Sequence, residues 1–463
     1  MIDLSSYVET LENKSVAVFG LGLSGLASIE ALLKAGINVT AWDDKVDNQT
    51  KSAALGATIE DLTTVDLSSF DFLLLAPGVP YTFEPHDVVL NAQKHDLEII
   101  GDLELLHRSH HGVKTIGITG TNGKSTTTAL IRHVLNECGM KAVMGGNIGK
   151  AVLELDLENV DILVLEISSY QMDLCPTYRP DISLVLNITP DHLDRHGSMK
   201  DYIAAKAKIL EGDCHAIVSV DDDFTMKLFD NLFCAGREKI TPVSTRGVIP
   251  EGIFVKNNIL YQNSKGADIE IGDLSNLNTL RGVHNKQNCA FCYVVAAQLG
   301  LDADAILQAF ATYPGLPHRQ YLITQQNGVT YINDSKATNA EAAAKALASY
   351  DNIYWILGGR AKASEGKIGL EGLEIFKDKV IKAFVIGEAQ EAFALWLQYH
   401  GFEFELCGDL DNATQKAYEA AAAREGEATV LLSPACASWD QFKSFEARGG
   451  AFTKKVLDLI GEK

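Results

Sequence analysis

The stretch GITGTNGKSTTTALIRHVL, residues 117–135, joins a short apolar strand to a helix-like pattern that ends at Gly139. Glycines allow a turn tight enough to aim consecutive N–H groups at one anion, and the start of the next helix adds a positive end. A lysine at the end of such a turn reaches the outer phosphates, and the hydroxyl after it is a ligand for Mg²⁺. The stretch therefore predicts a nucleoside triphosphate site, formed by Gly120, Thr121, Asn122, Gly123, Lys124, Ser125 and Thr126.

This turn is a variant of the common phosphate loop. The common motif carries an earlier glycine at the position of Ile118, whereas this chain has Gly117 and Gly120 on either side of it. A chance glycine turn is the alternative. The strand before the turn and the helix after it favour the phosphate site.

Two strand ends carry further candidate ligands. DILVLEISS ends an apolar strand in Glu166, where phosphate-loop enzymes place an acidic partner for Mg²⁺. A solvated strand-end charge is the alternative for Glu166. LNITPDHLDRHG holds Asp191, His192, Asp194 and His196. Such a density of polar side chains at a strand end suggests a site. Because Mg²⁺ prefers oxygen ligands, a histidine ligand here would indicate a second cation site of mixed character, and a polar turn with capping aspartates is the alternative.

An earlier glycine loop, GLGLSG at residues 20–25, also follows a strand and opens a helix, with Asp43 and Asp44 beyond it. This pattern is typical of dinucleotide binding, and it leaves a nicotinamide-linked oxidoreductase open. A tight turn without a ligand is a further alternative. The triphosphate loop later in the chain favours a different phosphorylated ligand here, since a dehydrogenase has no use for a triphosphate.

Strands and helices alternate along the chain, which predicts parallel sheets covered by helices. We expect an α/β protein of three domains. These are a Rossmann-like N-terminal domain over residues 1–103, a central P-loop ATPase-like domain with a parallel or mixed sheet over 104–314, and a Rossmann-like C-terminal domain over 315–463.

The C-terminal part contains two predicted helix starts and a lysine. SWDQ fits a capping box with Ser438 at the N-cap, TNAE is a second start at Thr338, and Lys362 follows a glycine turn. Two helix ends and a lysine suit a small dicarboxylate, and ordinary helix capping is the alternative.

Composition excludes several classes of protein. The 463 residues are 46% apolar and 22% charged, with a net charge of −21 and no cluster of Lys and Arg, so we expect no nucleic-acid partner. The acidic N-terminus resembles no signal peptide, and no apolar run is long enough for a bilayer, so we expect a cytoplasmic protein without a membrane partner. The eight cysteines are scattered, and Cys289 and Cys292 read as small buried side chains of a helix.

Several motifs together resemble the Mur ligase family over the whole chain. GTNGKSTT, LEISSYQ, LNITPDHLDRHGS, YIAAKAKI and GVHNKQN are similar to its central-domain motifs. NDSKATN, LGGRAKA and SPACASWDQFKSFEARG are similar to the C-terminal motifs of the member that adds D-glutamate to UDP-N-acetylmuramoyl-L-alanine in peptidoglycan synthesis. The resemblance implies ATP-dependent amide formation through an acyl phosphate, small-molecule substrates and a monomer.

Two alternatives remain besides the oxidoreductase. One is a sister Mur ligase or a folylpolyglutamate-type ligase that uses another amino acid. The other is a nucleotide-gated binding module without enzymatic activity.

The resemblance also implies a role for individual residues. It implies catalysis by Lys124, His192 and Lys206, and two Mg²⁺ ions held by Ser125, Glu166, His192 and Lys206. Lys206 falls where the family carries a carbamylated lysine, and that modification turns a cation into an anion suited to a divalent metal. A helix-surface lysine is the alternative for Lys206.

Three further sets of residues are implied as binding residues. Those for ATP, besides the phosphate loop, are Asn288, Arg319 and Asp334. Those for the UDP substrate are Leu23, Ser24, Asp43, Asp44, Gly78, Asn147 and Ser168. Those for D-glutamate are Thr338, Lys362, Ser438 and Phe445, although Arg360 and the ASEGK that surrounds Lys362 depart from the family's pattern.

Overall fold

The computed structural model describes residues 2–109, 112–264, 266–277, 279–361 and 368–461. The chain divides into two compact units. The first unit holds residues 1–276 and 286–311, and the second holds residues 277–285 and 312–463. The predicted α/β class is confirmed, because the described residues form three sheets with helices between their strands.

The first unit begins with a five-stranded, wholly parallel sheet in the order β3-β2-β1-β4-β5. Its strands are β1 Ser15–Phe19, β2 Asn38–Trp42, β3 Thr58–Ile59, β4 Phe72–Leu75 and β5 Ile99–Ile100. The helices of this region are α1 Ser5–Val8, α2 Leu23–Lys34, α3 Val46–Leu55, α4 Asp87–Lys94 and α5 Asp102–Arg108. Strand order reverses about β1, which places the first glycine loop at the point where such sheets bind nucleotides.

The first unit also contains a nine-stranded sheet in the order β14-β13-β12-β11-β10-β9-β6-β8-β7. Its strands are β6 Lys114–Thr119, β7 Ala142–Gly146, β8 Ile162–Glu166, β9 Ile182–Val185, β10 His215–Ser219, β11 Ile240–Ser244, β12 Gly252–Lys256, β13 Ile259–Ser264 and β14 Ala267–Asp273. Strands β12 to β14 pair antiparallel, and the other pairs are parallel, so this sheet is mixed.

The helices that follow in chain order are α6 Lys124–Glu137, α7 Ser169–Asp173, α8 Leu193–His196, α9 Met199–Ala207, α10 Asp223–Cys234, α11 Val283–Gln298 and α12 Ala303–Thr312. Strands β6, β8 and β9 lie side by side, and each is an apolar run whose residues are largely buried. Parallel strands buried on both faces read as continuous apolar runs, which is why the sequence predicted them. Their carboxyl ends meet at one edge, where the phosphate loop, Glu166 and the segment after β9 emerge.

The second unit contains a six-stranded sheet in the order β15-β16-β20-β17-β18-β19. Its strands are β15 Tyr321–Gln326, β16 Val329–Asn333, β17 Ile353–Gly358, β18 Val380–Ile386, β19 Phe404–Gly408 and β20 Ala428–Leu432. Its helices are α13 Ala340–Ser349, α14 Gln390–Tyr399, α15 Leu410–Ala422 and α16 Phe445–Ile460. Only β15 pairs antiparallel in this sheet. The predicted domain limits at residues 103 and 315 stay predictions.

Candidate active site

The glycines of the phosphate loop differ in their roles. Gly120 and Gly123 have φ values of 151° and 87°, a region that side chains rarely adopt, so the tight turn requires glycine at both. Gly117 instead lies inside β6, where an added Cβ would come within 2.9 Å of Pro180 and 3.0 Å of Ile209. The variant spacing seen in the sequence therefore combines two turn glycines with one packing glycine.

Asn187, which follows β9, holds the loop in place. Its backbone oxygen accepts the N–H of Thr121 at 2.9 Å, and its side-chain oxygen accepts the N–H of Asn122 at 2.8 Å. The Thr121 hydroxyl also lies 3.1 Å from the hydroxyl of Tyr202 on α9. These two N–H groups therefore hold the loop against the segment after β9.

Two lysines meet at one backbone oxygen of the loop. The Nζ atoms of Lys124 and Lys206 donate to the carbonyl of Gly120 at 3.0 Å and 2.8 Å. Lys206 is only 2% exposed, which excludes the surface-lysine alternative. Burial, together with the charge of Lys124, lowers the pKa of the Lys206 ammonium well below its usual value. A neutral amine or an added acidic group at this position removes the repulsion between the two side chains.

Glu166 ends β8 beside the same loop and is 3% exposed, so it is no solvated strand-end charge. Its Oε1 accepts a hydrogen bond from Asn147 at 3.2 Å. Its Oε2 is buried and has no hydrogen-bond partner among the described residues. A buried carboxylate oxygen without a partner is costly, and a cation satisfies it.

The two histidines of the segment after β9, His192 and His196, have different surroundings. His192 has a φ of 53° and a half-exposed ring that lies 3.4 Å from Asp191. His196 is buried, with Nε2 2.9 Å from the Ser169 hydroxyl and Nδ1 3.6 Å from Asp173. Within the described ranges, no group of three His, Cys, Asp or Glu side chains converges as a metal site. The turn of α8 points His196 inward, whereas His192 stays half-exposed, and a cation site at His192 stays a prediction.

The first glycine loop is braced from β2. An added Cβ at Gly20 would come within 2.6 Å of Ala76, and one at Gly25 within 2.1 Å of the Gly20 oxygen, so both must be glycine. Gly22 has open space around it, and Leu23 is 84% exposed. The Asp43 carboxylate accepts the N–H of Leu21 at 2.6 Å, which fixes the loop relative to the second strand.

The remaining residues predicted for the UDP substrate lie in the first unit. Asp44 pairs with His86 at 3.5 Å, and the Gly78 oxygen accepts from Arg195 at 2.7 Å. Ser168 is the N-cap of α7 and forms a capping box with Gln171. The sequence LEISSYQ contains this capping-box pattern, although it was not predicted above. Ser24 lies in the first turn of α2, beside the open loop.

Of the three ATP-binding residues predicted outside the phosphate loop, only Asn288 lies in the first unit. It lies buried on α11 and accepts the Thr127 hydroxyl at 3.0 Å, and its Oδ1 would lie 2.9 Å from a Cβ at Gly123. Asn288 therefore packs beneath the phosphate loop. Arg319 and Asp334 belong to the second unit, where Asp334 accepts the N–H of Gln320 at 3.1 Å and the Ser433 hydroxyl at 2.8 Å.

The buried Asp334 predicts that the stability of the folded chain depends on pH. Burial raises its pKa to about 7, so the folded chain holds this proton more tightly than the unfolded chain. Folded molecules then bind more protons between about pH 4 and pH 7, and the free energy of unfolding falls as pH rises through that window, by up to about 4 kcal/mol. Asp334→Asn removes this titration, so its stability relative to wild type should increase from pH 5 to pH 8 in urea unfolding.

The exposed Asp378 offers a matched control, since Asp378→Asn should track wild type at both pH values. Parallel stability curves for wild type and Asp334→Asn would refute the assignment.

Two predicted helix starts in the second unit are wrong. Helix α16 begins at Phe445 with Ser444 as its N-cap, whereas Ser438 closes a turn through its backbone oxygen, and the Gln441 side chain donates to Gly408 at 2.7 Å. Helix α13 has Asn339 as its N-cap, one residue after Thr338. Local capping patterns fit neighbouring positions equally well, and packing decides between them.

The residues predicted for D-glutamate have different surroundings. Ser438 is buried, and Thr338 donates its N–H to the Lys336 oxygen at 2.8 Å. The Nζ of Lys336 lies 3.8 Å from the centre of the Phe445 ring, a cation–π contact at the start of α16. Lys362 lies outside the described residues.

The sequence reading missed Arg448, which lies in SFEARG on α16. Its guanidinium is buried and donates to the oxygens of Ser335 at 3.0 Å and 2.8 Å and to the Cys436 carbonyl at 3.1 Å. Burial lowers its pKa to about 10, so it stays charged at neutral pH. It ties the ends of β16 and β20 to α16. A lone arginine in a polar segment gives no pattern that predicts burial.

All eight cysteines are unpaired. Cys289 and Cys292 are fully buried on α11, which confirms them as small core side chains. None of the helices in the described ranges combines the length and apolar character that a bilayer crossing requires.

Comparisons with known proteins identify the family of this chain. The family model described as the Mur ligase middle domain matches residues 118–296. The chain is 45% identical over 461 residues, 98% of this chain and 97% of the relative, to a protein of Rhizobium johnstonii. It is 43% identical over 464 residues, 98% of this chain and 97% of the relative, to a protein of Caulobacter vibrioides. The chain belongs to the Mur ligase family.

Both relatives are named UDP-N-acetylmuramoylalanine–D-glutamate ligase. Among solved structures, the UDP-N-acetylmuramate–alanine ligase of Thermotoga maritima matches with a TM-score of 0.58 at 16% identity, over 96% of this chain and 99% of that one. At that identity, the likeness supports the fold alone. Neither of the two named relatives supports the oxidoreductase alternative.

Proposed function

We propose that this chain joins D-glutamate to UDP-N-acetylmuramoyl-L-alanine in an ATP-dependent reaction of cytoplasmic peptidoglycan precursor synthesis, with release of ADP and phosphate. Identity of 43–45% along 98% of the chain to D-glutamate ligases carries this proposal. The cationic loop beside a buried, partly unsatisfied carboxylate supplies a place for the chemistry.

ATP phosphates would lie at the turn of residues 120–126, where Lys124 provides a positive charge at the start of α6. Asn288 beneath the loop would contact the nucleoside. The roles of Arg319 and Asp334 toward ATP stay predictions from the family resemblance. The UDP substrate would lie against the open space at Gly22 and the loop that carries Gly78, with Asn147 and Ser168 toward its acyl end.

Two Mg²⁺ ions would lie at the edge of the nine-stranded sheet. Glu166 and Ser125 would hold the first, since Glu166 has a buried oxygen without a partner. His192 and a carbamylated Lys206 would hold the second. Bound there, the cations would offset the charge that collects when a carboxylate meets a triphosphate.

Carbamylation suits the surroundings of Lys206. The reaction needs a neutral amine, and burial beside Lys124 favours that form of Lys206. The amine adds to the carbon of CO₂ and loses one proton, which leaves an anionic carbamate. That anion would attract Lys124 and a cation, where the unmodified ammonium repels both.

The reaction would proceed in two steps. The carboxylate of the L-alanyl end attacks the γ-phosphorus of ATP, and the bond to ADP breaks, which gives an acyl phosphate with a good leaving group. The amine of D-glutamate then attacks the acyl carbon, loses a proton, and expels phosphate. Lys124 would stabilise the charge on the transferred phosphoryl group by electrostatics more than by proton transfer.

Phosphate release with a panel of amino acids tests this function. With ATP, Mg²⁺ and UDP-N-acetylmuramoyl-L-alanine, we expect sustained release only when D-glutamate is added, because the acyl phosphate needs that amine to turn over. L-glutamate and L-lysine serve as matched controls. Turnover with an L-amino acid alone would identify a sister ligase, and ligand binding without turnover would identify a binding module.

A further inference from the structure

Arg195 connects the loop of residues 77–79, which follows β4 and is predicted to bind the UDP substrate, to the segment that carries His192. The guanidinium of Arg195 on α8 donates to the backbone oxygens of Gly78 at 2.7 Å and Val79 at 2.8 Å, and lies 3.4 Å from that of Pro77. These oxygens belong to the loop after β4. A planar guanidinium fork suits several fixed acceptors at once, and a lysine does not reproduce it.

The same guanidinium packs on Tyr170 of α7. Its Cζ lies 4.7 Å from the ring centre, which is cation–π distance. The Tyr170 ring in turn lies 5.1 Å from the ring of His192 and stacks on that of His196 at 5.4 Å. A continuous series of contacts therefore connects the loop after β4 to the proposed cation ligand His192, through Arg195 and then Tyr170.

The base of this arrangement is fixed. His196 is buried against Ser169 and Asp173, and Lys208 pairs with Asp173 at 2.9 Å. A Cβ at Gly197 would come within 2.7 Å of Phe83, so the end of α8 also lies against the segment after β4.

His192 itself has a strained backbone. A φ of 53° is uncommon for a residue with a side chain and persists where neighbouring contacts hold it. Here the N–H groups of Arg195 and His196 donate to the His192 oxygen at 3.0 Å and 3.1 Å. Arg195 therefore binds the loop of residues 77–79 through its side chain and closes the His192 turn through its backbone N–H.

We propose that Arg195 is a positioning residue that couples the UDP substrate to the divalent cation at His192. A substrate seated on the loop of residues 77–79 fixes the acceptors of Arg195, and Arg195 with Tyr170 then holds the imidazole in place. The cation binds a ligand that is already ordered, so each ligand tightens the binding of the other. This inference rests on the proposed function.

The coupling is measured by titration calorimetry of UDP-N-acetylmuramoyl-L-alanine with and without saturating Mg²⁺, and no turnover is involved. For wild type we expect Mg²⁺ to lower the dissociation constant about 10-fold, within the usual range of coupling. Arg195→Lys should bring the ratio of the two constants close to one, as should His192→Ala. Arg179→Lys is the matched control, since Arg179 also donates to a backbone oxygen, that of Tyr178 at 2.7 Å, and should keep the wild-type ratio.

Each outcome decides the inference. A wild-type ratio in Arg195→Lys, a ratio of one in wild type, or loss of the ratio in Arg179→Lys would overturn it. Phosphate release by wild type in the same preparations separates these results from failure of the proposed function, which would appear as absence of both substrate binding and turnover.

Discussion

Lys124→Ala should lower kcat for phosphate release by about 10³-fold, a loss of about 4 kcal/mol of transition-state stabilisation. The Lys124 ammonium lies 3.0 Å from the Gly120 oxygen and 2.9 Å from the Thr121 oxygen, so the loop holds it at the start of α6. Charge on the phosphoryl group develops during transfer, and removing the cation therefore affects kcat more than the KM for ATP. Steady-state kinetics with D-glutamate and the UDP substrate measures both.

Lys114→Ala is the matched control for this experiment. Lys114 is exposed at the opposite end of β6, so its removal leaves the phosphate loop unchanged. Wild-type kcat is expected for this variant. Wild-type turnover in Lys124→Ala would instead mean that the loop does not hold the transferred phosphate, and the proposed function would lose its site.

Lys206→Ala should lower activity to a similar extent, about 10³-fold, with partial recovery when formate or acetate is added. The buried Lys206 side chain reaches the Gly120 oxygen at 2.8 Å, and its truncation leaves room for a small anion. An added carboxylate there takes the place of the carbamate beside Lys124 and the cation. Phosphate release across a series of formate concentrations measures the recovery.

Lys200→Ala provides the control on the same helix, because Lys200 is exposed on α9. It should retain activity, and formate should not change it. Thermal unfolding separates a loss of fold from a loss of chemistry in the Lys206 variant. Full activity of Lys206→Ala without an added anion would remove this side chain from the site.

Short sequence patterns predicted several features of the first unit. The turn glycines, the lysine that follows them and the apolar strands beside them act over a few residues, so the strand–turn–helix of residues 114–137 was predictable. The same holds for Glu166, because a charge that ends a buried parallel strand lies at a known edge of the sheet.

Other features depend on contacts between segments far apart in the chain. Gly117 reads as part of the loop until Pro180 and Ile209 are seen against it, and Ser438 fits a cap until Gln441 is seen bound to Gly408. No local sequence pattern predicts that the Arg448 guanidinium is buried, because its acceptors, Ser335 and Cys436, follow the strands β16 and β20.

By itself, the sequence determined the α/β class, the strand–turn–helix of residues 114–137 and the family, because glycine positions, apolar runs and short motifs are local and directly readable. Only the tertiary structure decided that Lys206 is buried beside Lys124, that His192 and His196 face different surroundings, and that Arg195 grips the loop after β4. The physical reason is that burial and charge proximity arise when strands β6, β8 and β9 come side by side, an order that the chain does not follow in sequence.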